Sequence, residues 1–230
     1  MFGGIAGSYD LLNHLLSMNQ DRRWRRKACA VAAGEGPVLD VCAGTGDMAF
    51  EWHESGSGAP VTAADFCHEM LVLGRRKVVE RGLDGQVRFL AADTRALPFR
   101  DDSFGVVSAA FGIRNVSNLR GGISEMIRVA RPGGRVVILE FTMPRNPVFR
   151  AIYLFYFLLV LPFVGNLVSG TEESAYTYLP RSVLNFPNRA RLMEIMAEEG
   201  LAEVAATDLS LGIVNVLHGR KATPGATGAG

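Results

Sequence analysis

From Gly36 onward, short apolar runs alternate with segments whose apolar positions recur every three or four residues. Runs of four to eight aliphatic and β-branched residues read as strands buried on both faces, whereas the longer period reads as amphipathic helix. The pattern predicts strands at 38–43, 61–66, 87–92, 104–111 and 135–141, with helices between them at Asp47–Glu54, 68–81 and 118–129. Alternation of this kind predicts an α/β fold with a parallel sheet covered by helices. Arg131-Pro132-Gly133-Gly134 reads as a turn that stops one helix and opens the next strand.

The two ends depart from this rhythm. Residues 8–33 read as helical, with Tyr9, Leu11, Leu12, Leu15 and Leu16 on an apolar face and a basic run, Arg22-Arg23-Trp24-Arg25-Arg26-Lys27, behind it. That run is either a solvated helix face or part of an entry helix that meets anionic lipid headgroups. Gly34-Glu35-Gly36-Pro37 then closes an N-terminal helical cap, residues 1–34. Residues 151–164, AIYLFYFLLVLPFV, are apolar and aromatic but fall short of the ~20 residues of a spanning helix. They fit a buried core helix or a lid over an apolar ligand, the lid being residues 144–182. Residues 182–199 predict a helix interrupted near Pro187. Leu201–Leu209 and 212–218 predict a hairpin around Ser210-Leu211 that closes one sheet edge. A single domain over 1–221 is expected, with a disordered tail at 222–230.

The totals narrow the field. The 230 residues, 48% apolar and 20% charged, suffice for one α/β domain with a full core. A net charge of +1 gives no electrostatic case for nucleic acid as a partner. Cys29, Cys42 and Cys67 have no CxxC spacing, which argues against a zinc site or a disulfide framework and fits a reducing cytoplasm. The start, MFGGIAGSYD, has no basic segment followed by an apolar run, so no secretory signal is expected.

The candidate chemistry centres on VLDVCAGTGD, residues 38–47. An apolar strand passes through Asp40 into Gly44-Thr45-Gly46, with Asp47 as the expected N-cap of the next helix. Glycines permit a ligand to approach the backbone of such a turn, and both dinucleotide and S-adenosylmethionine sites use it. Asp40 disfavours a pyrophosphate and favours a cationic ligand. Asp65 ends the second strand about twenty residues later, where an acidic side chain meets ribose hydroxyls; otherwise it only caps the following helix. Asp93 and Thr94 end the third strand, and Leu97-Pro98-Phe99 offers an apolar slot for an adenine. Arg114 and Asn115 follow the fourth strand, on the side of an open α/β sheet where ligands react, unless they only brace a loop. His14 and His218 are conceivable bases.

The strings YDLLN, DRRWRRK, VLDVCAGTGD, ADFCHEML, FGIRNVSN, RPGGRVVILEF and AYTYLPRSV together resemble the ubiquinone/menaquinone biosynthesis C-methyltransferase family over about Met1 to Lys221. The resemblance implies a class I S-adenosylmethionine-dependent methyltransferase, with a Rossmann-like seven-stranded sheet whose last strand is antiparallel. The expected cofactor contacts are Asp40, Gly44, Thr45, Gly46, Asp65, Phe66, Asp93, Thr94 and Ala110; the expected acceptor-side residues are Tyr9, Arg114 and Asn115. Cys42 stands where related turns have Gly or Ala, and Ala110 where some relatives carry Ser. The implied reaction is C-methylation of a polyprenylated hydroquinone, demethylmenaquinol to menaquinol or a 2-polyprenyl-6-methoxy-1,4-benzoquinol. The prenyl tail implies peripheral attachment to the inner face of the membrane, with a homodimer or other quinone-biosynthesis enzymes as further partners. Competing expectations are a methyltransferase for soluble small molecules or lipid amines, a nicotinamide-dependent oxidoreductase, and a non-catalytic scaffold.

Overall fold

The computed structural model describes residues 17, 19–55, 58–160 and 175–223. Seven strands form one sheet: β1 (Val38–Val41), β2 (Val61–Asp65), β3 (Val87–Ala91), β4 (Phe104–Ala110), β5 (Ala130–Phe141), β6 (Leu201–Leu209) and β7 (Val214–Lys221). Their order is β3-β2-β1-β4-β5-β7-β6. The strands pair in parallel from β3 to β5, and β7 runs antiparallel to both β5 and β6. β7 is thus threaded between β5 and β6, and β6 forms the edge.

The helices are α1 (Gln20–Ala30), α2 (Asp47–Glu54), α3 (His68–Glu80), α4 (Leu119–Val129), α5 (Pro147–Phe155), α6 (Ala175–Asn185) and α7 (Arg189–Glu198). Alternation along the central strands splits the core in two. Val38, Val61 and Val106 face a layer with Trp24, Ala28, Phe50, Trp52 and Leu71, while Leu39, Val41 and Val107 face Ile123, Met126, Leu192 and Met196. Burial on both faces explains the unbroken apolar runs of β1 and β4.

Several expectations are corrected. Arg131 to Gly134 lies within β5 and forms an irregularity opposite Phe104–Val106, not a free turn, because pairing with β4 resumes on either side. The helix cap before α2 is Gly46 in a left-handed conformation, and Asp47 is the first helical residue. The helix expected at 182–199 is interrupted around Pro187 as predicted, but its first part, α6, starts earlier, at Ala175, and carries Pro180 inside, while α7 is capped by the Asn188 side chain. The basic run is not uniformly solvated: Trp24 and Arg25 are buried, with Arg25 paired to Asp21 at 2.6 Å. Trp24 Nε1 donates to Ser210 Oγ at 2.9 Å, tying α1 to the β6–β7 connection 186 residues away. Of the helix predicted at 8–33, residues 17 and 19–33 are described and only Gln20–Ala30 of them are helical, the chain turning at 31–33; Tyr9 and His14, and residues 224–230 of the predicted tail, lie outside the described residues.

Candidate active site

A cavity of about 720 Å³ opens at the C-terminal ends of β1, β2, β3 and β4. Asp40, Asp65 and Asp93, from three adjacent strands, all line it. Parallel pairing places Asp40 beside Ser108, and the Ser108 hydroxyl donates to Asp40 Oδ1 at 2.7 Å while itself accepting from Trp52 Nε1 at 2.9 Å. Asp40 is fully buried and its Oδ2 has no partner among the described residues. Burial pushes its carboxyl up to about 7, against the pull of the Ser108 bond and of Arg25.

The glycine turn is built around Asp65. Its Oδ2 accepts from Gly44 N–H and its Oδ1 from Cys67 N–H, both at 2.7 Å, so one carboxylate joins the turn after β1 to the start of α3. The cap residue of α3 is Cys67 with no side-chain capping bond, so Asp65 ties the two turns together rather than capping the helix. Gly44 has a left-handed φ of 56° and open space where a Cβ would stand, which leaves its backbone accessible. Gly46 has a different reason to be glycine: a Cβ there would sit 2.3 Å from the Phe89 ring. Gly46 is also absent from the cavity lining, so of the expected cofactor contacts it alone is a packing residue of the turn.

The other expected cofactor residues, Thr45, Phe66, Thr94 and Ala110, line the cavity. Thr45 Oγ1 accepts from Lys77 Nζ at 3.0 Å, and the same ammonium reaches Asp47 Oδ1 at 3.1 Å. Thr94 Oγ1 lies 3.3 Å from Cys42 Sγ. Phe66 lines the cavity and is 83% exposed. Arg95, which pattern reasoning overlooked, clamps Asp93 through Nε and Nη2 and holds its carboxyl down at about 2. The residues present fit a nucleoside carrying a charged amino acid: a partnerless buried carboxylate oxygen calls for a cationic donor, and an open glycine turn admits a close ligand.

The side of the cavity next to α5 is apolar. Phe111, Phe141, Phe149, Ile152, Tyr153, Tyr156 and Phe157 contribute to it together with Arg114 and Asn115. Of the apolar segment at 151–164, Tyr153, Tyr156 and Phe157 line the cavity, whereas Phe155 and Leu158 are exposed and do not. Tyr153 stacks on Phe157 at 4.9 Å, and Tyr153, Phe157 and Val183 form a small satellite core. Arg114 is buried against Glu140 of β5, Nη1 to Oε1 at 2.8 Å. His218 pairs with Arg135 at 3.2 Å and takes no part in the cavity.

A seven-stranded sheet with one reversed strand, and acidic residues gathered with a glycine turn at one edge, define a class I S-adenosylmethionine-dependent methyltransferase. The fold matches the crystal structure of a SAM dependent methyltransferase from Aquifex aeolicus with a TM-score of 0.60 at 18% identity, over 84% of this chain and 85% of that one. The chain belongs to the ubiE/COQ5 methyltransferase family, whose model matches residues 1–221. It is 46% identical over 224 residues to the "Ubiquinone/menaquinone biosynthesis C-methyltransferase UbiE" of Geobacter sulfurreducens, covering 96% of this chain and 87% of the relative. It is 48% identical over 204 residues to the "Demethylmenaquinone methyltransferase" of Thermus thermophilus, covering 88% and 91%.

Proposed function

We propose that this protein methylates a ring carbon of a polyprenylated hydroquinone, demethylmenaquinol to menaquinol or the related benzoquinol. One observation carries the reading beyond the relatives' names: the strand-end cavity is continuous with an aromatic chamber whose buried cation is Arg114. A greasy ring fits that chamber, and one ring oxygen can lie against the guanidinium.

When bound, S-adenosylmethionine supplies a methyl group already activated by its sulfonium charge. Asp40 Oδ2 and the Gly44 turn hold the donor's cationic amino-acid end, Asp65 its ribose, and Asp93 with Thr94 its adenine. The Arg114 guanidinium has only donors, so it donates hydrogen bonds to the acceptor oxygen as negative charge develops there, and Asn115 orients the ring. Holding ring carbon and methyl in line supplies much of the acceleration. The aromatic wall keeps water from the reacting carbon.

Among the described residues no helix is long and apolar enough to cross a membrane. Val148, Ile152, Phe155 and Leu159 form an exposed apolar stripe at helical spacing along α5 and the π-helical turn Tyr156–Val160. Exposed Arg145 and Arg150 flank it. This face supports peripheral attachment to an anionic bilayer at its cytoplasmic side, where the tail would remain while the head group enters.

The test is incubation of the purified chain with S-adenosylmethionine and a chemically reduced demethylated prenyl naphthoquinol, followed by mass spectrometry. A product gaining one methyl on the ring, formed from the quinol and not from the quinone, is expected. Equal turnover of water-soluble acceptors without a prenyl chain would overturn the reading.

A further inference from the structure

Arg114 reaches the cavity already committed on three sides. Its Nη1 donates to Glu140 Oε1 at 2.8 Å and to the carbonyl of Phe111, and its Nε donates to Ser182 Oγ at 3.2 Å. Phe111 follows β4, Glu140 is the penultimate residue of β5 and Ser182 sits on α6, so three elements grip one guanidinium. Nη2 has no hydrogen-bond partner among the described residues, and Arg114 lines the cavity. The two side chains of the ion pair are 6% and 0% exposed. Burying opposite charges this way costs desolvation that the attraction barely offsets, so the pair is a poor stabilising device. Glu140 Oε1 also accepts from Phe141 N–H, while Oε2 is buried and partnerless among the described residues. A carboxylate placed only to complete a structural network would use both oxygens.

We propose that Glu140 is a positioning residue that acts through Arg114: it aims Nη2 at a hydroxyl oxygen of the acceptor and cancels the cation's charge, so that the site takes a neutral hydroxyarene rather than its anion. The inference rests on the hydroquinol reading above. An uncompensated buried cation would bind a phenolate tightly in the ground state, which does not accelerate the step that follows. A neutral pair instead donates a hydrogen bond whose strength grows as the hydroxyl gives up its proton to solvent water and the oxygen acquires charge. Burial pushes the Glu140 carboxyl up, and Arg114 and the Phe141 N–H pull it back. Among the described residues, the other titratable groups that interact with the pair are Cys42, pushed up to about 12 by burial, and Tyr153 of α5, raised for the same reason. Neither carries charge near neutrality. Asn115 and Ser182 are polar and do not titrate.

The test uses the full chain as wild type, E140Q, R114Q, S182A and the charge-free double variant R114Q/E140Q. 1-Naphthol bound in the presence of S-adenosylhomocysteine serves as the probe, because its absorbance distinguishes phenol from phenolate. In E140Q the bound naphthol should lose its proton about one pH unit or more below its value in the wild type. The rising limb of kcat against pH should move the same way, and the double variant should undo the naphthol shift. Superimposed naphthol titrations for wild type and E140Q overturn the proposal, since a merely structural role lowers activity without moving a pH limb. If E140Q alone does not fold, S182A decides: kcat falling about tenfold with unchanged S-adenosylhomocysteine affinity supports positioning of Arg114, and unchanged kcat overturns it. Failure of the wild type to methylate a hydroquinol would sink the functional reading separately, while the naphthol titration still decides the role of Glu140.

Discussion

Ser108 Oγ donates to Asp40 Oδ1 at 2.7 Å, a contact between two side chains paired across parallel strands and sealed from solvent. It supports a carboxyl that burial has moved from 3.8 to about 7, a difference of about 4 kcal/mol between its two protonation states. Because the folded carboxyl holds its proton more tightly than the unfolded one, this contribution is fully present below about pH 4 and is lost as pH rises through about 7. The melting temperature of the unliganded protein should therefore fall more steeply from about pH 5 to 8 in the wild type than in D40N. The ionised form is the one that holds a cationic amino group, so affinity for S-adenosylhomocysteine should rise through the same range. S108A should move that rise to higher pH, as read by calorimetric titration.

The two glycines of the turn should separate binding from stability. G46A forces a Cβ into Phe89 at a left-handed residue and should cost about 2 kcal/mol or more, seen as a lower denaturant midpoint. G44A meets open space, so its cost to the unliganded fold should be about 1 kcal/mol. Its larger effect should be on cofactor affinity, measured by the same titration.

Phe66 is a large aromatic left 83% exposed on the cavity rim. Nothing in the fold depends on it, so F66A should shift the melting temperature by no more than about 1 °C. Its KM for S-adenosylmethionine should rise roughly tenfold if the ring covers the nucleoside. A stability loss without a KM change would assign the ring to packing.

The exposed stripe of α5 should be separable from catalysis. F155E replaces an apolar side chain that is 62% exposed and outside the cavity. Sedimentation with vesicles containing anionic lipid should retain the wild type and lose F155E, with S-adenosylhomocysteine affinity unchanged. Retention of F155E would detach the stripe from any bilayer role.

The strand and helix order was legible because burial on both faces writes itself into the sequence as continuous apolar runs, as in β1 and β4. Asp47–Glu54 and Leu201–Leu209 match the structure at both ends. The convergence of Asp40, Asp65 and Asp93 was also legible, since parallel strands place successive strand ends on one edge. Hidden from periodicity were the long-range partners. Glu140 sits in the apolar string VVILEF, and its meaning depends on Arg114, 26 residues earlier. Lys77 meets Thr45 only because α3 packs beside the turn. Pro180 inside α6 and the irregular start of β5 show tertiary packing overriding local punctuation.

The Trp24–Ser210 hydrogen bond has a consequence for biogenesis. α1 leaves the ribosome before any strand of the sheet, yet one of its anchors arrives only with the connection before β7, and β7 must then insert between β5 and β6 to finish the sheet. A nascent chain halted before that connection has the strand ends that line the cavity but lacks this anchor for α1, whose Trp24 and Arg25 line the cavity too. Competence is thus deferred until β7 has been made, and a stop or nick ahead of Ser210 should release the first helix as surely as it removes that strand.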